Sequence, residues 1–176
     1  MCEIDLLVKP GNIFFVSSQI QQDEYEKFLA FLSSIDLADT GHENFILIKI
    51  ENCLGGDIAA VRKIILKSFE LMQQGHIILT YGNGLVFSGG VLLFLIPNRD
   101  NRCAEENVVF MFHAIQSYPG GDAEQNRLAD ESNFGFIAQQ TELLPEHVKS
   151  LLNQRIRFEE AVECGILGKR MWSSDI

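Results

Sequence analysis

The sequence predicts an α/β fold built around a buried parallel sheet. Three observations carry that prediction. Strand-length apolar runs recur along the chain, segments of helical period alternate with them, and glycine-rich turns stand where strands hand over to helices. Repeated β-α units imply parallel pairing through right-handed crossovers. Folds of this kind gather their reactive groups where strands end and helices begin.

Residues 12–16 (Asn-Ile-Phe-Phe-Val) read as a short strand. Residues 21–35 place Tyr25, Phe28, Leu29 and Leu32 at helical spacing, which makes one face apolar. Residues 45–50 (Phe-Ile-Leu-Ile-Lys-Ile) are apolar nearly throughout, as a strand covered on both faces would be. Gly55-Gly56 breaks that run, and Asp57 is a ready N-cap for the next helix. In that helix Ile58, Val61, Ile65, Phe69 and Met72 share one side, and Gly75 ends it. Residues 77–81 form a third strand and residues 82–90 a glycine-rich stretch. An apolar helix opens near Ser88 and stops at Pro97. Residues 108–112 form a fourth strand ending on His113, and residues 122–165 are mostly helical, interrupted at Pro145.

The 176 residues suit one domain, 1–176, with a flexible N-terminal segment over 1–11. A hydrophobic share of 47% excludes a disordered chain. The apolar run at 91–96 is too short to span a bilayer, and acids near the N-terminus stand where an export signal carries basic residues. A cytoplasmic protein is expected, with no membrane partner. The formal net charge of −10 repels a duplex, so no nucleic-acid partner is expected either. Cys2, Cys53, Cys103 and Cys164 lack Cys-x-x-Cys pairing and metal spacing. They read as reduced thiols, with no metal and no cofactor.

Three places carry the chemistry. Ser88 follows a strand and a glycine-rich turn and opens a helix, where backbone N–H groups suit a developing oxyanion. A serine there is also a common helix cap. His113 ends a buried strand, and a titratable ring after Val-Val-Phe-Met-Phe needs a partner. It could equally be a core histidine. His42, His76 and His147 lie in a polar loop, at a strand start and on a helix, where none is as well placed to act as a base. Gly55-Gly56 presents main-chain donors, or forms no more than a tight turn. No lysine or serine completes a P-loop there.

Four segments resemble the proteolytic subunit of the Clp protease. Ile50-Glu51-Asn52-Cys53-Leu54-Gly55-Gly56 is similar to that family's Ile-Asn-Ser-Pro-Gly-Gly. Residues 84–93 around Ser88 resemble Gly-Gln-Ala-Ala-Ser-Met-Gly-Ala-Leu-Leu, and residues 109–113 resemble the segment ending in its histidine. Glu160-Ala161-Val162-Glu163-Cys164-Gly165-Ile166 resembles Glu-Ala-Val-Glu-Tyr-Gly-Leu. The resemblance spans roughly residues 12–168. It implies a ClpP/crotonase-like spiral of β-β-α units with a shortened helical handle. It further implies Ser88 as nucleophile, His113 as general base, and the N–H groups of Gly56 and Gly89 as oxyanion hole. The partners it implies are a polypeptide substrate, a homo-oligomeric ring, and an ATP-driven AAA+ unfoldase or a paralogous subunit.

The sequence departs from the family at several points. Leu54 replaces a proline, Cys53 a serine and Gly89 a methionine, and the segment between His113 and Thr141 is short. The family's third triad residue, an aspartate, aligns with Leu151 or Leu152. Asn153 stands close by as the expected third member, able to orient the histidine through its amide carbonyl; it reads equally as an exposed helical asparagine. A catalytically impaired regulatory or structural ring subunit is the alternative. An acyl-CoA enzyme of the crotonase group is disfavoured by the short chain and the Ser-His pair.

Overall fold

The structure, a computed structural model, describes residues 8–35, 45–114 and 122–168. Five strands run parallel. β1 (Ile13–Ile20) pairs with β2 (Phe45–Gly56), and β2 with β3 (Ile77–Phe87). β3 then takes two partners along its length: β4 (Arg102–Ala104) at Thr80 to Gly82, and β5 (Val109–Met111) at Leu85 to Phe87. The two-residue β6 (Ile156–Arg157) closes that side antiparallel to β5. Among the described residues the sheet order is β1-β2-β3-β5-β6, with β4 beside β3.

The crossovers are helices, as parallel pairing demands. α1 (Glu24–Ser34) links β1 to β2, α2 (Ile58–Gln73) links β2 to β3, and α3 (Gly89–Phe94) follows β3. Asp57 caps α2 as expected, its carboxylate accepting the Ala60 N–H at 2.7 Å. α4 (Ala123–Gln140), α5 (Pro145–Ser150) and α6 (Phe158–Glu163) form the C-terminal helical part.

The apolar run of β2 is covered on both faces. Ile46, Ile48 and Ile50 join Phe14, Val16, Phe28, Val61, Ile64 and the α3 residues in the main core. Leu47 points the other way, into a smaller cluster with Val8, Leu79, Tyr81 and Cys103. Strand alternation sends successive side chains to opposite faces, so both layers come from one hexapeptide. Each such side chain contributes about 1.5–3 kcal/mol by leaving water. The expected flexible segment 1–11 falls largely on residues outside those described, while Val8 is buried.

One expectation needs correction. Cys103 is disulfide-bonded, its partner lying outside the described residues, while Cys53 and Cys164 are free thiols. Sequence spacing cannot show which cysteine a sheet face brings to β4. Also unforeseen are β4, β6, and the burial of Arg102. Its guanidinium donates to the carbonyls of Leu95, Pro97, Gln140, Gly165 and Ile166 and to the Gln140 amide oxygen. Burial pushes it down, to about 10, and the nearby Arg99 charge adds to the effect. It therefore remains a cation at neutral pH.

Candidate active site

The C-terminal ends of β2, β3 and β5 meet at one place, and that is where Ser88 stands. Its N–H donates to the Met111 carbonyl of β5 at 2.9 Å, and its own carbonyl accepts from Val91 and Leu92. Its backbone is left-handed, with φ 52 and ψ −120. For a serine that conformation costs about 1–3 kcal/mol, and such strain persists only where the surroundings impose it. The surroundings here are the β3–β5 ladder on one side and a fully buried α3 on the other. Ser88 occupies the N-cap position of α3, yet its hydroxyl makes no capping hydrogen bond. The commonest structural use of a serine at a helix start is therefore not the one made of this side chain.

The glycine pair of β2 packs directly on it. A β-carbon on Gly55 would lie 2.5 Å from Ser88 Cβ and 2.9 Å from its Oγ, closer than any real side chain tolerates. Gly55 is required there by this contact and by its φ of 89. Gly56 and Gly89 are neighbours as well: a β-carbon on Gly89 would sit 3.8 Å from the Gly56 nitrogen. The structure thus brings Ser88, Gly55, Gly56 and Gly89 together from two strands and one helix start.

His113 lies two residues beyond Met111, at the end of the strand adjacent to the one that delivers Ser88. Adjacent strands run about 4.8 Å apart. The ring is half-buried, and its Nδ1 lies 3.1 Å from the Ala114 carbonyl. A carbonyl oxygen only accepts, so this bond requires the proton on Nδ1 and leaves Nε2 unprotonated in the neutral ring. Among the described residues, no hydrogen bond joins the Ser88 hydroxyl to His113.

Asn153 reaches the same corner through its main chain. Its N–H donates to the Phe112 carbonyl at 2.7 Å, and its φ is 63. Its side chain is exposed. Leu151 and Leu152, the positions that align with the family's acid, pack against the core instead. His76 sits just before β3, at the end remote from Ser88, and His147 is exposed on α5. His42 lies outside the described residues.

Cys53 offers no rival nucleophile. It is fully buried, and burial pushes its thiol up, against a weaker opposing pull from the Gly55 N–H. Among the described residues, no three His, Cys, Asp or Glu side chains gather as a metal site, and no helix is long and apolar enough to cross a membrane.

Sequence reading missed how the end of the sheet is shaped. The β2–β3 register slips between Glu51 and Cys53, and left-handed backbone recurs at Ser18, Asn52, Gly84 and Ser88. The available signal was composition: asparagine and glycine tolerate that region best.

The sequence matches the model of a family described as Clp protease over residues 4–169. A search of curated proteins finds no match. Among solved structures, ClpP1 from Listeria monocytogenes is 23% identical with a TM-score of 0.74, covering 93% of this chain and 92% of that one. A variant of the same protein, carrying one asparagine-to-aspartate change, is 21% identical with a TM-score of 0.74, covering 94% and 92%. The ClpP protease catalytic domain from Plasmodium falciparum is 20% identical with a TM-score of 0.72, covering 89% and 82%. These likenesses show the fold, a parallel-dominated sheet of the ClpP/crotonase-like kind, as expected from the sequence.

Proposed function

We propose, from the premise that this chain belongs to the Clp protease family, that it is a serine endopeptidase subunit working through a Ser-His acyl-enzyme. Ser88 Oγ attacks a peptide carbonyl carbon while His113 Nε2 takes the hydroxyl proton. The carbonyl oxygen becomes an oxyanion held by the N–H groups of Gly56 and Gly89. The C–N bond then breaks, and His113 returns the proton to the departing amine. Water, deprotonated by the same ring, attacks the ester. The acid product leaves and Ser88 regains its proton.

The observation that carries this reading is the strained Ser88 turn. An uncapping hydroxyl is pressed against Gly55, with the Gly56 and Gly89 main chain beside it. A fold accepts a left-handed serine at such a junction when the position of its oxygen is worth the strain. The Ala114 carbonyl supports the role of His113, because it favours the tautomer a general base needs. Asn153, tied to Phe112, is the proposed third member.

A fluorophosphonate probe tests the assignment. Ser88 should carry the label, and Ser88→Ala should abolish it. A folded, assembled sample that never labels sinks the peptidase reading. On this reading the substrate is a polypeptide, the subunit assembles into a homo-oligomeric ring, and an ATP-dependent AAA+ unfoldase feeds it.

One observation favours a second reading, a catalytically impaired regulatory or structural ring subunit. The His113 ring is oriented by a neutral carbonyl, and the nearby Asn153 side chain carries no charge. Mixed rings containing an active paralogue would support this alternative. A ring of this chain alone that cleaves peptides would exclude it.

A further inference from the structure

The main-chain donors Gly56 and Gly89 sit on separate arms, Gly56 at the end of β2 and Gly89 at the start of α3 just beyond β3, so something must fix the stagger between them. Above the site the β2–β3 ladder is regular as far as Glu51 opposite Asn83, and it resumes at Cys53 opposite Val86. Between those pairs one residue of β2, Asn52, faces two residues of β3, Gly84 and Leu85. That is a β-bulge with a left-handed glycine at its first position, φ 65. The Asn52 backbone is itself left-handed, φ 49. Its side-chain Oδ1 accepts the Leu85 N–H at 3.3 Å. The fit is tight: a β-carbon on Gly84 would lie 2.2 Å from that same oxygen.

Position along the two strands gives the bond its consequence. Gly56 follows Asn52 by four residues and Gly89 follows Leu85 by four. Asn52 therefore ties together the two arms that carry the donors, at equal distance from each. The register pair Cys53–Val86 is all the ladder records between the tie and the donors. A slip of one residue would displace one donor by about 3.3 Å, more than a hydrogen bond's tolerance.

We propose that Asn52 is a positioning residue: its side-chain oxygen pins the β2–β3 bulge so that the N–H groups of Gly56 and Gly89 converge on one oxyanion. The assignment rests on the peptidase reading above and adds a residue that touches neither substrate nor reacting atoms. It predicts an effect on the transition state and not on substrate binding, because an oxyanion donor is used most when the negative charge develops.

The test uses Asn52→Gly, Asn52→Asp and Gly84→Ala in the full chain, reading fluorophosphonate labelling of Ser88, peptide turnover and thermal stability. Asn52→Gly keeps the left-handed backbone and deletes the acceptor. It should label about 10- to 100-fold more slowly, with kcat lowered, KM unchanged and no loss of stability. Asn52→Asp retains an acceptor oxygen and should recover labelling to within about threefold of the parent. Gly84→Ala should slow labelling through the clash, and Asn52→Gly combined with Gly84→Ala should be no slower than Asn52→Gly alone. A parent that labels while Asn52→Gly labels equally fast overturns the role of Asn52 and leaves the peptidase reading standing. A parent that never labels overturns both. Slower labelling that merely tracks a fall in thermal stability across all three variants also overturns it.

Discussion

Asn153 donates its backbone N–H to the Phe112 carbonyl at 2.7 Å, which holds the turn after α5 against the residue preceding His113. The contact is made by main chain, so it survives any side chain that tolerates φ 63. Aspartate tolerates that conformation nearly as well as asparagine. Asn153→Asp therefore brings a carboxylate to the histidine's neighbourhood without disturbing the fold. Negative charge there stabilises the imidazolium formed as Ser88 loses its proton, and removing such a charge from a triad lowers kcat by about four orders of magnitude. From an exposed position the gain is smaller, and labelling of Ser88 should rise about tenfold. Rates of Asn153→Asp and Asn153→Ala that both match the parent would leave the Ala114 carbonyl as the orienting group among the described residues.

Ser88 should be a residue that the protein holds at the expense of its own stability. Its φ of 52 and ψ of −120 suit glycine far better than serine. Ser88→Gly should raise the unfolding free energy by about 1 kcal/mol, after allowing for the extra freedom glycine gains in the unfolded chain. The same change should erase fluorophosphonate labelling. Thermal melts of Ser88→Gly beside Ser88→Ala check this, since alanine keeps the strain and should not share the gain.

The sheet was legible because its signal is local. The run Phe-Ile-Leu-Ile-Lys-Ile announces burial on both faces, and Ile48 and Leu47 do divide between two apolar layers. Ser88 and Gly55-Gly56 were legible as a strand-to-helix turn and a glycine break. Their meeting was not, because it depends on how far β2 and β3 extend, to Gly56 and Phe87, well past the apolar runs that predicted them. The three-residue β4 and two-residue β6 are too short to show periodicity. Arg102 was invisible for a different reason. A buried arginine is legible in sequence when a carboxylate partner lies at a fixed spacing, and its partners here are carbonyls from three separate stretches of chain.

Those carbonyls make Arg102 a keystone for stability. The guanidinium gathers the end of α3 through Leu95 and Pro97, the end of α4 through Gln140, and the tail through Gly165 and Ile166. Arg102→Met would fill much of the volume and leave several buried acceptors without donors. Each unsatisfied group costs about 1–3 kcal/mol, so the loss should be about 3 kcal/mol or more. Arg102→Lys should recover only part of it, because an ammonium has three donors and no planar fork. Denaturant unfolding of the two variants checks the order: parent, then lysine, then methionine. Equal stability of lysine and methionine would mean that charge and hydrogen bonding at this position matter less than bulk.

Cys53 should be silent chemically and visible in the alkaline range. The thiol is fully buried behind α3, where a β-carbon on Gly90 would lie 3.0 Å from its sulfur. Burial, with a smaller contribution from the Glu24 charge, pushes its pKa above the ordinary thiol value, while the Gly55 N–H pulls the other way. The folded state therefore holds this proton more tightly than the unfolded chain does. As pH rises, the unfolded chain releases the proton first, so the stability the group contributes is fully present below the ordinary thiol range. It is lost as pH climbs through the raised folded value. Native protein treated with iodoacetamide near about pH 8 should be alkylated at Cys164 and spared at Cys53, with Cys53 modified only after denaturant is added. Cys164 is partly accessible, and its own thiol is raised by burial and by the Glu160 and Glu163 charges, so it should react more slowly than a fully exposed thiol remote from acids. Alkylation at Cys164 should leave fluorophosphonate labelling of Ser88 intact, which separates the hydroxyl chemistry from either thiol. Rapid native alkylation of Cys53 would show that the Gly90 side of the strand end opens to solvent, and the packing that holds Ser88 against Gly55 would have to open with it.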